Sequence, residues 1–314
     1  MKNIEPEVLI ISNKFDFSTD IVVYNLNKMR VNYLRLNRDL FDNYNITFNP
    51  IERIIDIKLG NTDYCINSKR LKSIYFRAPT FLREIYKNTE TATKQLSITQ
   101  WSAFIRSLMV FDDSKWINNP HSTYKAENKP YQLFIANKIG FNVPNTLITN
   151  CFNNKMLLDE TYALKTLDTG IVSKKNREAF IYTEFYSKKA ILMRPHSKFP
   201  LILQKSLLPK EDIRVTIVKE DIYSVKIVGS EAKFIDWRKQ KNKLEYKKIK
   251  LPKNIASKCI SLVRKLDLLF GAIDMIKYNN EYYFIEINPT GEWAWLEKNL
   301  NLGIDKKIVE LLIS

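Results

Sequence analysis

The most constraining stretch of the sequence lies between Phe270 and Trp293 and reads FGAIDMIKYNNEYYFIEINPTGEW. Two apolar runs flank Asn279-Asn280, a pattern that predicts two antiparallel strands joined by a tight turn. Three polar residues, Asp274, Glu286 and Asn288, lie inside or at the end of these strands. Burying a carboxylate without a partner costs several kcal/mol or forces it to take a proton. Two carboxylates and an amide oxygen are hard ligands of the kind that suits Mg²⁺ bound to substrate phosphates.

The register of this hairpin decides whether the three side chains can meet. Side chains alternate along a strand, so Glu286 and Asn288 face the same way. A two-residue turn pairs Asp274 with Ile285 and places it on the opposite face, whereas a three-residue turn through Glu281 pairs it with Glu286. The metal interpretation therefore requires the longer turn or a β-bulge. The alternative is a half-exposed hairpin that carries ordinary surface carboxylates.

The composition describes a globular chain of 314 residues, because 45% are hydrophobic and 12% are aromatic. Glycine is scarce, at 7 residues, and neither a G-x-x-x-x-G-K nor a G-x-G-x-x-G run is present. The sequence therefore argues against a glycine-rich phosphate loop, and any nucleotide must be held by other means. The net charge of +16 points to a polyanionic partner, namely nucleic acid, a membrane surface or an acidic peptide. An AT-rich genome, which favours Lys, Asn and Ile, explains the charge equally well.

The cysteines and the N-terminus bear on the compartment. Cys65, Cys151 and Cys259 are far apart and form no CxxC pair, so neither a disulfide framework nor a zinc site is expected, and a reducing cytoplasm fits. The apolar run Val8–Ile11 is too short for a signal peptide, and no run is long enough to span a bilayer. Only two histidines are present, which gives poor support to a His-dependent hydrolase.

The first third of the chain predicts an α/β domain over residues 1–115. A strand at 7–12, a helix at 21–28 and a strand at 32–36 follow the β-α-β order of a parallel sheet. Residues 95–110 carry a helical apolar stripe, and residues 116–121 read as a loop. Further strands are predicted at 46–48, 54–59, 64–66 and 74–76.

The remainder predicts a small α+β unit and a final unit that contains the hairpin. A helix begins at Pro130 and ends at Gly140, and a long amphipathic helix covers 254–270 and is capped by Gly271. A hairpin over 213–228 turns at Glu220-Asp221, and a last helix begins near Asp305. Short strands are predicted at 143–148, 162–166, 179–183, 190–194 and 201–204.

This order of features resembles the ATP-grasp superfamily, whose fold combines α/β and α+β parts. The resemblance implies a pre-ATP-grasp α/β domain over 1–115, a central lid subdomain over 116–205 and a C-terminal subdomain over 206–314 that holds the metal. It also implies ATP and two Mg²⁺ ions as cofactors. The residues that match the superfamily motifs are the phosphate-binding lysines Lys129 and Lys165, the adenine hinge Gln204, Lys205 and Leu207, the Asp-x-Arg pair Asp212 and Arg214, and the metal ligands Asp274, Glu286 and Asn288. At the hinge, backbone groups of Lys205 and Leu207 would bond the purine edge.

Within the superfamily, three stretches resemble the graspetide (microviridin-type) peptide macrocyclases. They are Arg77-Ala-Pro79, Asp236-Trp-Arg238 and the segment from Glu286 to Trp295, although the family more often has a second Arg where Ala78 stands. The resemblance implies ATP-dependent ester or amide formation within a ribosomally made precursor peptide that has a leader and an acidic core. It implies neither nucleic acid nor membrane as a partner, and it implies a homodimer. The peptide-contacting candidates are Asp236, Arg238 and Trp293.

The residues themselves support this chemistry but leave alternatives. Arg214 alternates with Ile213 and Val215, so it points away from their apolar face and could clamp a phosphate or a carboxylate. Asp212 could orient Arg214 or act as a base, or the two could form an ordinary surface ion pair. Lone lysines such as Lys129 are usually surface residues, and Trp293 could equally pack in a core.

Two other functions compete with the macrocyclase. One is an ATP-grasp ligase that adds free amino acids to a peptide or protein, against which the Glu-Trp-Ala-Trp tail weighs. The other is a basic nucleic-acid-binding protein that uses the cationic run 238–250. The second leaves the acidic hairpin without a role.

Overall fold

The computed structural model describes residues 2–79, 91–168, 170–174, 177–229 and 244–314. The strands are β1 (Lys2–Ile4), β2 (Val8–Ser12), β3 (Tyr33–Asn37), β4 (Asn45–Asn49), β5 (Ile54–Leu59), β6 (Thr62–Asn67), β7 (Ser73–Phe76), β8 (Lys115–Ile117), β9 (Thr146–Thr149), β10 (Thr161–Thr166), β11 (Ile171–Lys174), β12 (Arg177–Phe180), β13 (Glu184–Ser187), β14 (Leu201–Lys205), β15 (Glu211–Val218), β16 (Asp221–Gly229), β17 (Leu244–Lys248), β18 (Phe270–Tyr278) and β19 (Glu281–Asn288). The α-helices are α1 (Phe17–Lys28), α2 (Ala92–Ser107), α3 (Pro120–Ala126), α4 (Lys129–Ile139), α5 (Lys188–Leu192), α6 (Lys253–Lys265), α7 (Ala294–Leu300) and α8 (Ile304–Ile313).

The first sheet is parallel, with the strand order β3-β2-β7-β8, which confirms the β-α-β prediction. Both faces of β2 are buried, since Val8 and Ile10 join one core cluster and Leu9 and Ile11 join another. Such continuous burial is typical of a parallel strand. The second cluster is closed by α2 and by a small sheet of order β1-β6-β5-β4.

The loop predicted at 116–121 is wrong at both ends. Trp116 and Ile117 lie in β8 and are buried, and α3 begins at Pro120 after an Asn119 cap whose side chain accepts from the backbone N–H of His121. The Asn-Asn-Pro sequence by itself favours a loop. In the structure, the two residues before it belong to the edge of the sheet, and its second Asn caps the helix that follows. The first sheet therefore extends to Ile117.

The middle of the chain forms a four-stranded antiparallel sheet of order β13-β10-β14-β9 over its own small core. The strand predicted at 190–194 is wrong, because these residues begin within α5. The side chain of Ser187 accepts from the backbone N–H of Ala190 and caps this helix. A helix cap therefore decides the structure of a short apolar run that could have formed a strand.

The last sheet has five antiparallel strands in the order β17-β16-β15-β18-β19. One of its faces packs on α4 and α6, and the other packs toward the first sheet. Helix α6 ends at Lys265 rather than at Phe270, and Asp267 takes the left-handed backbone conformation with φ 55°. Gly271 is not a cap: it lies in β18, where a Cβ would come 2.8 Å from Cδ1 of Ile287.

A shared core joins the first sheet to the five-stranded sheet. Helices α7 and α8 pack between them with α1, and the Ser73 hydroxyl donates to the Leu312 carbonyl at 2.6 Å. The predicted domain boundaries at residues 115 and 205 stay predictions.

Helix α4 lies on the five-stranded sheet, although its residues fall in the range predicted for the lid subdomain. Across the described ranges, the helices are all too short or too polar to cross a membrane.

Candidate active site

A cleft of about 530 Å³ lies between the four-stranded and the five-stranded sheet. It brings together every residue that the sequence nominated for nucleotide and metal binding. These lining residues are Lys129, Lys165, Gln204, Lys205, Leu207, Asp212, Arg214, Asp274, Glu286 and Asn288. Residues from distant parts of the chain therefore converge on one site.

The hairpin register places both carboxylates on the cleft side. The turn has two residues, Asn279 and Asn280, with φ 47° and 63°, and the ladder shifts between Asp274 and Met275. This β-bulge pairs Asp274 with Glu286, as the metal interpretation required. The two-residue turn alone would have placed the carboxylates on opposite faces.

The donor set of this hairpin fits Mg²⁺. The side chains of Asp274 and Glu286 are each 23% exposed, and Nδ2 of Asn288 lies 3.4 Å from Oδ2 of Asp274. A half-turn of the Asn288 amide would present its oxygen to the same point. No group of three His, Cys, Asp or Glu side chains in the described ranges could hold a metal. Two carboxylates and one amide are nevertheless sufficient, since Mg²⁺ in such sites takes its other ligands from phosphates and water.

Two lysines approach the site from different elements. Lys129, in the first turn of α4, has its Nζ 3.7 Å from Oε2 of Glu286 and 3.4 Å from the Thr166 carbonyl. Lys165 on β10 donates to Oε1 of Gln204 at 2.8 Å. Gln204 is buried, and its amide nitrogen donates to the Thr146 hydroxyl at 2.9 Å, so its oxygen is held toward Lys165.

Arg214 is a buried cation beside the carboxylates. It pairs with Asp274 across neighbouring strands, and Nη1 lies 3.1 Å from Oδ1. The contact is an ion pair without a well-aligned hydrogen bond, since Nε and Nη1 have no hydrogen-bond partner among the described residues. Ile213 and Val215 lie in the core behind it, as the alternation predicted. Buried N–H groups of this kind are satisfied when an anion binds.

Asp212 pairs with a lysine that lies directly before its strand, and its predicted role in orienting Arg214 stays a prediction. Its carboxylate pairs with Lys210, whose Nζ lies 2.6 and 2.7 Å from the two oxygens. The Lys210 side chain is only 7% exposed and lines the cleft. Sequence reasoning missed this lysine, which lies in the loop directly before β15.

The hinge is arranged so that only part of Lys205 is available to a ligand. Its backbone N–H donates to the Asn145 carbonyl at 2.7 Å, and its ammonium pairs with Asp159 at 3.2 Å. Of the backbone groups predicted to bond adenine, the N–H of Lys205 is therefore already used within the protein. Leu207 itself is buried against the cleft wall.

The peptide-contact predictions fare differently. Trp293 is fully buried, and its indole nitrogen donates to the Tyr75 hydroxyl at 3.2 Å. It is a core residue, so its predicted peptide contact is wrong; its size and the apolar neighbours in α7 and α8 explain the packing. Asp236 and Arg238 lie outside the described residues.

A buried ion network, which we call the Arg77 brace, supports the cleft from the first sheet. Nη1 of Arg77 donates to the Thr290 carbonyl at 2.7 Å, Nη2 donates to Glu292 at 2.5 Å, and Nε lies 3.2 Å from Asp16. Glu292 also accepts from the Ser18 hydroxyl at 2.7 Å. The brace ties the end of β7 and the start of α1 to residues 290–292, which line the cleft.

Electrostatics inside the brace are strongly coupled. Burial raises the pKa of Asp16, but the Arg77 charge and hydrogen bonds from Arg77 and Thr19 outweigh it and hold the pKa below its ordinary value of 3.8. Burial lowers the pKa of Arg77, but its interactions with Tyr75, Asp16 and Glu292 more than compensate, so its pKa is raised. The resemblance pointed at Arg77 and at the segment that contains Glu292, whereas Asp16 gave no sequence signal.

The two sheets around a cleft with lysines, a buried arginine and paired carboxylates define an ATP-grasp fold. Residues 171–312 match the model of the RimK-like ATP-grasp domain. No curated protein sequence matches the chain.

Solved structures with the same fold cover almost the whole chain. One is a RiPP-associated ATP-grasp ligase of Chryseobacterium gregarium in complex with ADP and a leader and core peptide, with 23% identity, a TM-score of 0.80, and coverage of 100% of this chain and 97% of that one. Another is the macrocyclase MdnC of Microcystis aeruginosa MRC bound with precursor peptide MdnA, with 22% identity, a TM-score of 0.80, and coverage of 98% and 99%. D-alanine–D-alanine ligase from Bacillus anthracis is more distant, with 13% identity, a TM-score of 0.58, and coverage of 98% and 96%.

Proposed function

We propose that this protein is an ATP-dependent, ADP-forming ligase that links side chains within a ribosomally made precursor peptide. The observation that carries the proposal is the end-to-end similarity to ligases whose structures hold a leader and core peptide or a precursor peptide. The cleft supports it, because cationic and carboxylate side chains converge where phosphates and a substrate carboxylate would bind.

The residues take complementary roles in this proposal. Lys129 and Lys165 bind the nucleotide phosphates, and the hinge from Gln204 to Leu207 holds adenine. Asp274, Glu286 and Asn288 would hold Mg²⁺, which supplies charge neutralisation for phosphoryl transfer when bound. The unsatisfied N–H groups of Arg214 orient the γ-phosphate or the substrate carboxylate.

The reaction proceeds in two steps. A carboxylate oxygen of a peptide Glu or Asp attacks the γ-phosphorus, the bond to the ADP oxygen breaks, and an acyl phosphate forms. A Thr or Ser hydroxyl, or a Lys amine, then attacks the acyl carbon, and phosphate leaves with the proton. The ion pair with Lys210 makes Asp212 a poor base, so we assign it to positioning Lys210 in the cleft.

An ATP-grasp ligase that adds free amino acids is the second candidate. The match to the RimK-like ATP-grasp domain is compatible with either substrate, because it covers only residues 171–312. The higher TM-score of the peptide-bound ligases, 0.80 against 0.58 for the D-alanine–D-alanine ligase, supports the peptide-linking ligase.

Three further properties belong to the proposal. We propose two Mg²⁺ ions and a homodimer. We also propose a cytoplasmic location, because the three cysteines are far apart and all free, as is usual in a reducing compartment. Light scattering of the purified protein measures the oligomeric state, and a monomeric mass would contradict the dimer. Titration of the ADP complex with Mn²⁺ counts the metal sites.

A direct test uses a candidate peptide encoded beside this gene, with repeated Thr or Ser and Glu or Asp residues. Incubation with ATP and Mg²⁺ should release phosphate and reduce the peptide mass by one water for each link formed. A peptide that keeps its mass while ATP is still present in the mixture argues against the proposal. A gain of mass equal to an amino acid residue would identify the second candidate.

A further inference from the structure

Strand β19, which carries Glu286 and Asn288, is the edge strand of its sheet in the described part of the chain. Its inner edge pairs with β18, and its outer edge faces α4 and the segment after it, where the Phe284 N–H donates to the Asn142 carbonyl at 2.9 Å. An unpaired strand edge leaves backbone N–H and C=O groups to be satisfied by other means.

A buried glutamine satisfies this edge at the residue between the two proposed ligands. The backbone N–H of Ile287 donates to Oε1 of Gln132 at 3.0 Å, and Nε2 of Gln132 donates to the Ile287 carbonyl at 2.9 Å. Nε2 also donates to the Ala126 carbonyl at 2.5 Å. The side-chain amide, which is 2% exposed, thus takes the place of a neighbouring strand at one residue.

Gln132 stands one helical turn after Lys129 on α4, so both side chains face the same strand. Lys129 reaches the Glu286 carboxylate, and Gln132 holds the backbone at the next residue. On the other side, the Asn118 amide donates to the Pro289 carbonyl at 2.7 Å. The backbone on both sides of Asn288 is therefore tied to buried amides.

We propose that Gln132 is a positioning residue that fixes the direction in which Glu286 and Asn288 present their oxygen atoms. The inference rests on the proposed Mg²⁺–nucleotide function of this cleft. Its physical basis is that the bulge beside Asp274 interrupts the inner ladder of β19. The outer edge must then hold the strand direction, and Gln132 supplies the hydrogen bonds at the central residue.

The first test measures the strand edge itself. Gln132→Met keeps the length of the side chain but removes both hydrogen bonds to Ile287. We expect the Ile287 amide to exchange its hydrogen at least about 10-fold faster in this variant. Ile135→Ala, which creates a cavity in the same helix and core, serves as the destabilised control and should leave that amide protected relative to its neighbours. Equal exchange at Ile287 in Gln132→Met and the wild type overturns the inference.

The second test measures how Mg²⁺ changes ADP affinity by calorimetry, with and without a chelator. Loss of a residue that orients metal ligands typically lowers metal affinity by about 10- to 100-fold. We expect the ratio of ADP affinities with and without Mg²⁺ to fall by that factor in Gln132→Met and to stay at the wild-type value in Ile135→Ala. A merely structural role would weaken ADP binding alike in both conditions and leave the ratio unchanged.

The outcomes separate this inference from the proposed function. A wild-type protein that binds ADP equally with and without Mg²⁺ overturns the metal site and the positioning role together. A Mg²⁺-dependent wild type with an unchanged ratio in Gln132→Met overturns the positioning role alone. A fall of the ratio in Ile135→Ala as large as that in Gln132→Met would show that the effect does not depend on the hydrogen bonds of Gln132, and it would also overturn the positioning role.

Discussion

Asp274 has a different charged partner on each neighbouring strand, Arg214 on β15 and Glu286 on β19. A carboxylate between a cation and a second carboxylate is well suited to a site where another cation binds. The two carboxylates provide negative charge for a metal, and Arg214 keeps N–H groups for an anion. The residue pattern alone therefore argues for a metal and a phosphate or carboxylate side by side.

Glu286 provides the sharpest residue-level prediction. Glu286→Gln keeps the size of the side chain but removes the charge, so we expect turnover to fall by about 100-fold or more with the fold intact. Phosphate release and circular dichroism measure the two properties. Glu281→Gln, at the exposed start of the same strand, should retain wild-type turnover; full activity of Glu286→Gln would remove the metal assignment.

Arg214 tests the anion-binding assignment. Arg214→Lys keeps the positive charge but loses the planar fork, so we expect kcat/KM for the peptide to fall by about 100-fold. Arg264→Lys, which alters an exposed ion pair with Glu220, is the matched control and should change little. A wild-type kcat/KM in Arg214→Lys would argue that the site needs charge alone.

At this scale, the sequence predicted most of the residues that line the cleft but not their partners. Asp212, Arg214 and the hairpin carboxylates stand out because charge in an apolar strand is unusual. Lys210 and Gln132 do not stand out in the sequence, because polar residues are common in loops and on helices. Which carboxylate pairs with which cation depends on backbone register, and single residues do not encode it.

The element that carries the site is the β18–β19 hairpin, whose turn and bulge act together. Both turn residues have positive φ, which Asn tolerates better than most side chains. We expect Asn280→Val to destabilise the protein by about 1–2 kcal/mol and Asn280→Gly to be nearly neutral, because only the former strains the backbone. Denaturant unfolding measures both, and equal stability of the two variants would contradict the strain argument.

Elements with strong periodicity were predicted well, and short ones were not. The amphipathic stripe of α6 identifies the helix, but its end lies five residues earlier than expected, since Lys265 and not Phe270 is its last residue. The apolar residues after Lys265 are buried because they pack against the sheet, although the helix has already ended. Similarly, α5 and α7 are single short helices whose apolar residues carry no long periodic signal.

For the whole molecule, the Arg77 brace links two sheets across the cleft rim and makes a pH-dependent prediction. Asp16→Asn keeps a helix cap but removes a buried charge that pairs with Arg77, so we expect a loss of about 3 kcal/mol at neutral pH. The folded-state pKa of Asp16 is lowered, so its stabilisation is present above the ordinary value of 3.8 and is lost as the pH falls through the folded pKa.

Denaturant unfolding of the wild type and Asp16→Asn at pH values from about 7 to below 4 checks this prediction. The difference in stability should be constant near neutral pH and should shrink below about pH 4. Asp20→Asn, in an exposed pair on the same helix, should cost under about 1 kcal/mol. A difference that grows as the pH falls would reverse the sign and contradict the assignment.

The overall architecture was largely predicted from the order of elements and the resemblance. What the sequence could not predict is how the units share their cores. Trp293 is an example. The aromatic segment that contains it is distinctive in the sequence, but only the packing of this residue with α7, α8 and Tyr75 shows that it is buried. Contacts between residues 200 positions or more apart leave no local pattern to detect.

The position of α8 has a consequence for synthesis on the ribosome. This helix covers one face of the first sheet, so the strand at Val8–Ser12 emerges about 300 residues before the helix that buries it. Until α8 has been synthesised, the apolar side chains of this strand that pack against it stay exposed. A chaperone that binds such segments should therefore raise the yield of folded protein. Shortening the chain before Ile304 should accordingly send the product to proteases rather than leave a stable N-terminal fragment.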